Sequence, residues 1–321
     1  MDAVFSFEVD QAISGMWLLD YLPTCIPYLS VPVCEALMQE GCIHVDGEPL
    51  LNNLVLSEGQ NVVYTVPNYQ EGKVDTRWKL LWENDDIAAV HKPSNLPVSR
   101  TTRNVYNTLI QILRRESPWP DAHLLHRLDL ETSGIILIGQ TKASASKYQS
   151  NLTDLIQRKV YHAIVKGKPS WDKLDYQCEL NTLKDSAIRC QMHEVEKGKT
   201  SRTKFTVIKT NDEFSIIECE LLTGRKHQIR AHLSILGHPI VGDKIYSNNG
   251  EFYLKRLQDT TTLQDHEKLI TEHHLLHAFQ IQITPFEFDE DRIQKEISEP
   301  LIITNDYYSE AWLSFTKNNG L

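Results

Sequence analysis

The sequence predicts an α+β fold with a mixed or antiparallel central sheet and flanking helices, plus a small N-terminal domain. The chain has 321 residues, which is enough for two domains of ordinary size. Strand and helix patterns after residue 75 mix without the regular alternation that is typical of a doubly wound parallel sheet. We therefore assign residues 1–74 to the small domain and residues 75–321 to the main domain.

The small domain shows a helix followed by a hairpin. Residues 33–39 have a helical pattern that ends at Gly41. Two β-rich runs follow at residues 42–45 and 61–66, with a hairpin turn signal at Asp46-Gly47. This order resembles the alpha-L fold of several RNA-binding proteins. Those proteins grip RNA with basic helix residues, whereas residues 31–35 here contain none.

The main domain contains short runs of both kinds and no internal repeat. Its predicted strands cover residues 87–90, 134–138, 160–165, 205–208 and 214–222, and its predicted helices cover residues 106–116, 142–158 and 226–236.

Charge is distributed unevenly along the chain, whose net charge is −10. Residues 1–75 hold 11 acidic residues and one Lys, and residues 251–321 are also acidic. Residues 76–250 instead hold 26 basic and 19 acidic residues. Because nucleic acids are attracted by local positive potential, a nucleic-acid partner is expected to bind this middle segment.

Membrane, export and cofactor-binding classes are disfavoured. The most apolar stretch, residues 12–34, contains three prolines, which favours neither a membrane span nor a regular helix. No Lys or Arg precedes Lys73, unlike a secretory leader, so we expect a cytoplasmic protein without membrane contact. No G-x-G-x-x-G occurs, and Gly198-Lys199-Thr200 lacks the earlier glycine of a P-loop, so we expect no nucleotide cofactor. A cluster of histidines lacks the spaced partners of a metal site, so we also expect no metal: His266, His273, His274 and His277.

Three segments resemble the RluA-type pseudouridine synthases. Residues 125–139, LHRLDLETSGIILIG, match that family's H-R-L-D-x-x-T-S-G signature. Residues 159–167, KVYHAIVKG, match its K-x-Y-x-A-x-V-x-G strand, and residues 222–246 match T-G-R-x-H-Q-I-R-x-H-L followed by G-H-P-I-x-G-D-x-x-Y. Three long matches in the family's order are specific, whereas one short match would be weak. The resemblance implies a pseudouridine synthase-type fold, an isomerase and an RNA substrate.

The implied reaction converts uridine to pseudouridine. It breaks the N1–C1′ bond, turns the uracil and joins C5 to C1′, so it needs neither a redox step nor a cofactor. The resemblance identifies Asp129 as the carboxylate at the ribose, with attack on C1′ and removal of the 2′ proton both open. A nearby cation keeps such a carboxylate ionised. The family's pattern assigns that role to Arg230 and places Ile229 in the base pocket.

The resemblance also implies the residues that handle the base and the RNA. Tyr161 is assigned to stacking on uracil and to helping remove the C5 proton, although a normal pKa near 10 makes it a weak base. Arg127 is assigned to filling the gap that the flipped base leaves. His126, Arg225 and Gln228 complete the predicted RNA- and base-binding set, with a scaffold role as the alternative for His126 and Gln228.

Two other functions are open alongside the synthase. An inactive synthase-like RNA-binding or assembly factor would not need Asp129, Tyr161 and Arg230 together. A metal-dependent nuclease would use Asp129 with Glu131 and would lose activity with EDTA. We interpret Glu131 as a solvated residue, because the family tolerates many residues there. We expect a monomer that modifies structured RNA, with rRNA favoured by chain length and tRNA as the alternative.

Overall fold

The computed structural model describes residues 2–25, 30–101, 104–258, 260–288, 294–296 and 299–321. The chain divides into two compact units, one comprising Met1–Val74 and Ser99–Ile112, the other Asp75–Val98 and Leu113–Leu321. Residues 99–112, which the sequence analysis included in the main domain, group with the first unit. Within the described ranges, no helix has the length and apolar character needed to cross a membrane.

The first unit is a four-stranded antiparallel sheet with two helices. The strands β1 (Ala3–Glu8), β2 (Ile43–Val45), β3 (Glu48–Pro49) and β4 (Asn61–Val66) lie in the order β1-β4-β2-β3, and the helices are α1 (Leu18–Cys25) and α2 (Val31–Gln39). The predicted helix and β-rich runs are confirmed. Helix α1 was not expected, because it contains Pro23. Leu18 and Leu22 are fully buried, and we infer that their burial outweighs the backbone hydrogen bond that proline cannot donate.

Glu71 attaches residues 99–112 to the first unit. Its carboxylate accepts hydrogen bonds from the backbone N–H groups of Val105, Tyr106 and Asn107 at 2.5, 2.6 and 2.7 Å. Burial raises the pKa of Glu71, but the Tyr69 hydroxyl and these N–H groups outweigh burial, so the pKa lies below its ordinary value.

The second unit is built on an 11-stranded mixed sheet. Its strands, with one separate hairpin, are β5 (Lys79–Glu83), β6 (Ile87–Lys92), β7 (His123–Leu124), β8 (Ser133–Gly139), β9 (Ile156–Lys166), β10 (Lys173–Asn181), β11 (His193–Glu194), β12 (Lys199–Thr210), β13 (Phe214–Leu221), β14 (Leu276–Ile283), β15 (Phe286–Phe288), β16 (Gln294–Glu296) and β17 (Leu301–Thr304). The order is β11-β10-β12-β13-β9-β14-β8-β6-β5, with β7 paired to β8, β17 paired to β14, and β15–β16 as the separate hairpin. Helix α3 (Leu109–Glu116) begins in the first unit and ends in the second, and the remaining helices are α4 (Lys142–Gln149), α5 (Leu152–Leu155), α6 (Gln228–Ile235), α7 (Glu251–Leu257), α8 (Leu263–Leu269) and α9 (Glu310–Asn318). The mixed sheet with flanking helices confirms the predicted α+β class.

The predicted helix over residues 142–158 is wrong in its second half. Helix α4 ends at Gln149, α5 is one turn long, and β9 begins at Ile156. Arg158 shows the physical reason. Its guanidinium donates to Gln280 on β14 at 2.9 Å and to Glu220 on β13 at 3.2 Å, so the two neighbouring strands hold it in the sheet. These cross-strand contacts override the local helical pattern.

Candidate active site

An ion pair joins two of the sequence-predicted residues. Asp129 lies in the loop between β7 and β8, Arg230 lies in α6, and the Arg230 Nη1 donates to the Asp129 Oδ2 at 2.7 Å. Burial raises the pKa of Asp129, but the charge and hydrogen bond of Arg230 outweigh burial and hold the pKa at about 2. Asp129 is therefore ionised at neutral pH.

Asp243 holds the other edge of the same guanidinium. The Arg230 Nε donates to Asp243 Oδ2 at 2.7 Å, and Nη2 donates to Oδ1 at 3.0 Å. Asp243 is fully buried and also accepts the backbone N–H groups of Ile245 and Tyr246 at 2.9 and 3.0 Å. This two-point grip aims the remaining nitrogen of Arg230 at Asp129. No role was predicted for Asp243 from the sequence, although it is the aspartate of the quoted G-D-x-x-Y match.

His227 is a second residue that the sequence analysis did not assign. It precedes α6 in the left-handed region with φ of 54°, and its Nε2 lies 3.8 Å from the Asp129 Oδ1. Its Nδ1 lies 3.2 Å from the hydroxyl of Tyr246, which accepts the Met192 N–H at 2.8 Å. Burial and the charge of Arg230 lower the pKa of His227 to about 4, so the ring is neutral at pH 7.

A buried lysine supports the loop immediately after Asp129. The Lys92 Nζ donates to the carbonyl oxygens of Pro93, Leu96 and Leu130 at 2.9, 2.8 and 3.0 Å. Its side chain is fully buried, and burial lowers the pKa of Lys92 to about 7. The bond to Leu130 thus ties the end of β6 to the residue that follows Asp129, and the other two bonds hold the turn after β6.

The interpretation of Glu131 as a solvated residue is wrong. Glu131 is only 7% exposed. Its carboxylate accepts Lys244 Nζ at 2.7 Å, Arg256 Nη1 at 3.3 Å and the backbone N–H of His274 at 3.1 Å. Two cations on one carboxylate disfavour a divalent ion there, which argues against the nuclease alternative. In the described part of the chain, no group of His, Cys, Asp and Glu could hold a metal ion.

The Thr-Ser-Gly part of the first motif packs against β14 and the residues before it. The Thr132 hydroxyl lies 2.8 Å from His274 Nε2, and the Ser133 hydroxyl lies 2.8 Å from His277 Nδ1. Gly134 has φ of +116°, and a Cβ there would stand 2.3 Å from the Ala278 carbonyl oxygen. Only glycine fits this close approach between parallel strands.

Tyr161 and Ile229 are both buried, and each has one link to the ion pair: the charge of Asp129 acts on Tyr161, and Ile229 precedes Arg230 in α6. Tyr161 lies on β9 opposite Ala278 of β14 and is 8% exposed. Burial and the negative charge of Asp129 raise the pKa of Tyr161 far above its ordinary value, so the side chain stays protonated. Ile229 is buried in α6, next to Arg230.

Two further residues of the predicted RNA- and base-binding set, Gln228 and His126, form hydrogen bonds within the protein. The Gln228 side chain donates to Arg202 O and Thr203 Oγ1 and accepts from Thr223, as a scaffold residue would. The His126 Nε2 accepts the Leu137 N–H at 3.1 Å, which also fits a scaffold role.

The two predicted arginines outside the ion-pair system are exposed. The Arg225 Nε donates to the Thr200 carbonyl oxygen at 2.9 Å. The Arg127 guanidinium makes no hydrogen bond or ion pair with any residue that the structure describes, so it is available to a ligand.

Comparisons with known families and solved structures identify the fold of this chain. Residues 86–235 match the family model described as RNA pseudouridylate synthase. The solved human structures named RNA Pseudouridylate Synthase Domain Containing 1 and 4 share the fold, with TM-scores of 0.52 and 0.51 and identities of 22% and 23%. These alignments cover 78% and 74% of this chain and 98% and 91% of the respective structures. The fold is therefore that of a pseudouridylate synthase domain.

Several curated proteins that are similar in sequence are named pseudouridine synthases. Human pseudouridylate synthase RPUSD2 is 32% identical over 76% of this chain and 45% of its own length. The mitochondrial tRNA pseudouridine(32) synthase of Saccharomyces cerevisiae is 31% identical over 66% and 46%. Ribosomal large subunit pseudouridine synthase D of Nitrosomonas europaea is 26% identical over 86% and 79%. The chain spans about half the length of the first two relatives. The predicted resemblance to the RluA-type pseudouridine synthases is therefore confirmed for the part of the chain that these comparisons cover.

Proposed function

We propose that this chain isomerises uridine to pseudouridine in structured RNA, with Asp129 as the nucleophile. The observation that carries the proposal is the asymmetry of the Asp129 carboxylate. Its Oδ2 is held by Arg230 at 2.7 Å, whereas Oδ1 accepts no hydrogen bond from the described residues. The side chain is 29% exposed, so one ionised oxygen is accessible to a ribose.

The proposed steps conserve every atom of the nucleotide. Asp129 Oδ1 attacks C1′, and the electrons of the N1–C1′ bond leave with the uracil. The uracil turns, C5 attacks C1′, and the carboxylate departs with the electrons of its bond to C1′. C5 then loses its proton and N1 gains one. Because Asp129 must also act as a leaving group, a pKa near 2 suits the second displacement.

The surrounding groups have distinct tasks in this proposal. Arg230 keeps Asp129 ionised and oriented, and Asp243 keeps Arg230 in place. Tyr161 stays protonated, so it offers its ring and its O–H to the turning uracil rather than a free phenolate. Ile229 supplies an apolar wall beside the base.

We propose rRNA as the substrate, with tRNA as the alternative. The relatives include a ribosomal large subunit enzyme and a tRNA enzyme, so family membership supports both classes. The test is to map pseudouridines in cells that lack the protein and in cells that express the wild type or Asp129→Asn. The proposal expects a defined uridine in rRNA to lose its modification and to regain it only with the wild type.

The same experiment tests the assembly-factor alternative. If no pseudouridine disappears in the absence of the protein, the enzymatic proposal fails. Restoration of the wild-type phenotype by Asp129→Asn would then identify a non-catalytic role. Conversion of the mapped uridine by the purified protein should persist in EDTA.

A further inference from the structure

Lys159 stands where all three family motifs meet. It lies on β9 two residues before Tyr161, so the pleat puts both on the same face of the strand. Its Nζ is 3.6 Å from the point where a Cβ on Gly224 would stand, in the T-G-R segment. Burial and the charge of Lys159 lower the pKa of His126 to about 3, which places the ammonium near the H-R-L-D segment as well.

The half-buried Lys159 lacks the partners that the other buried or half-buried cations around this site possess. Arg230 has two carboxylates, Lys244 has Glu131, and Lys92 has three carbonyl oxygens. The Lys159 ammonium makes no hydrogen bond or ion pair with any residue in the described ranges. Burial alone lowers its pKa. A cation partly removed from water without a counterion costs free energy, and a bound anion would offset that cost.

The internal carboxylates cannot serve as this anion. Asp129 and Asp243 already share Arg230, so these three side chains together carry one negative charge. That surplus repels the phosphates of an incoming RNA. A free ammonium on the face that carries Tyr161 would counter the repulsion where the nucleotide enters.

We propose that Lys159 binds a backbone phosphate of the RNA next to the uridine being modified. This inference rests on the proposed function, in which Asp129 meets the ribose and Tyr161 meets the base. Phosphate is the anion that an RNA substrate brings, and it lies next to the ribose on both sides. Arg127 and Lys226 belong to the first and third motifs, and both are exposed to solvent. Lys159 is half-buried, so an anion bound to it would relieve a larger desolvation cost.

The chain offers a matched control in Lys166. It is a half-buried lysine at the end of the same strand, burial likewise lowers its pKa, and it stands at a variable position of the second motif. Lys159 and Lys166 are seven residues apart, so a regular pleat sends them to opposite faces. Lys159→Met removes the charge and keeps the apolar stem, Lys159→Arg restores the charge, and Lys166→Met tests a charge elsewhere on the strand.

The first measurement is the salt dependence of RNA binding. Each variant is titrated with a fluorescein-labelled oligouridylate of about 12 nucleotides, at about 50 to 200 mM KCl. One lost phosphate contact should reduce the slope of log K against log salt by about 0.7. Affinity should fall about tenfold in Lys159→Met at the low-salt end, as expected for one charged hydrogen bond. Lys159→Arg should restore most of the slope, and Lys166→Met should match the wild type.

The second measurement locates the phosphate on the RNA hairpin that contains the mapped uridine. A neutral methylphosphonate is placed singly at each linkage around that uridine. One linkage should weaken binding by the wild type and have no further effect on Lys159→Met, because both changes remove the same contact. Equal slopes for the wild type and Lys159→Met, or an equal loss in Lys166→Met, would overturn the proposal. If the wild type converts no uridine, the proposed function fails, and the oligouridylate slopes still decide the role of Lys159.

Discussion

Asp129 and Glu131 lie two residues apart on one loop, and both are paired with cations, but their surroundings differ. Asp129 shares Arg230 with Asp243 and leaves Oδ1 open. Both oxygens of Glu131 are engaged by groups from the segments around residues 244, 256 and 274. The first carboxylate is restrained yet accessible, and the second is enclosed. Two carboxylates of equal charge on one loop therefore differ in use: Asp129 has an oxygen open to a ligand, and Glu131 holds three chain segments together.

The largest effect is expected from a substitution of Asp129, the accessible carboxylate of the two. Asp129→Asn keeps the size of the side chain but removes the nucleophile, so pseudouridine formation should fall by about ten-thousand-fold or more. Stability should change little, because Arg230 keeps the buried Asp243 as its counterion. Tritium release from C5-labelled RNA measures the turnover, and thermal unfolding measures the stability. Substantial residual turnover would remove Asp129 from its proposed role.

The next prediction concerns the cation between the two aspartates. Arg230→Ala alone would leave Asp243 buried without a counterion, so the sharper variant combines Arg230→Gln with Asp243→Asn. Without Arg230, burial should raise the pKa of Asp129 from about 2 to above its ordinary value. Turnover near neutral pH should fall about a hundredfold, since a preorganised charge is lost.

The dependence of turnover on pH should distinguish this double variant from the wild type. In the proposed mechanism Asp129 attacks as a carboxylate, so activity should disappear as pH falls through the pKa of Asp129. A raised pKa therefore moves the acid limb of turnover to higher pH than in the wild type. Turnover against pH on the mapped RNA is the measurement. An acid limb that stays in place would show that Arg230 does not control the ionisation of Asp129.

A substitution of Glu131, the enclosed carboxylate, should mainly change the stability of the protein. Glu131→Gln removes the negative charge and leaves Lys244 and Arg256 facing a neutral amide, so the free energy of unfolding should fall by about 3 kcal/mol. Burial raises the pKa of Glu131, but its cationic and histidine partners hold it well below the ordinary value. This contribution is therefore present above the ordinary pKa and is lost as pH falls through the lower folded-state pKa.

A nearby exposed acid provides the control. Glu272→Gln changes a neighbouring solvent-exposed carboxylate, so its effect should stay within about 0.5 kcal/mol. Urea unfolding of both variants at neutral and acidic pH measures the difference. A Glu131→Gln protein as stable as Glu272→Gln would contradict the architectural role.

Asp129 and Glu131 also show which features of the fold and site could be predicted from the sequence and which could not. Long motifs predicted the pairing of Asp129 with Arg230 and the family resemblance, and hydrophobic alternation located strands such as Asn61–Val66. The environment of Glu131 was missed because its partners lie 113 to 143 residues later in the chain. Local spacing carries no record of such contacts. The same limit explains β9, whose start is set by its pairing with β14, and explains why Asp243 had no assigned role.

The smallest expected effect belongs to Arg127, which lies on the same loop but outside both ion-pair systems. It is exposed and has no partner among the described residues, so its loss should leave the pKa of Asp129 and the acid limb unchanged. If its guanidinium fills the gap left by the flipped base, Arg127→Ala should slow turnover of a base-paired uridine about tenfold. The effect on a uridine in a loose loop should be about twofold, because flipping there costs less.

The measurement compares the two RNAs at several pH values, with the Arg230→Gln/Asp243→Asn protein alongside. Arg127→Ala should change the ratio between the two RNAs at every pH, whereas the double variant should change the pH dependence for both RNAs alike. Equal shifts of the acid limb in both proteins, with no dependence on RNA structure, would contradict this division. Arg127 would then act with Arg230 on the Asp129 carboxylate rather than on the RNA stack.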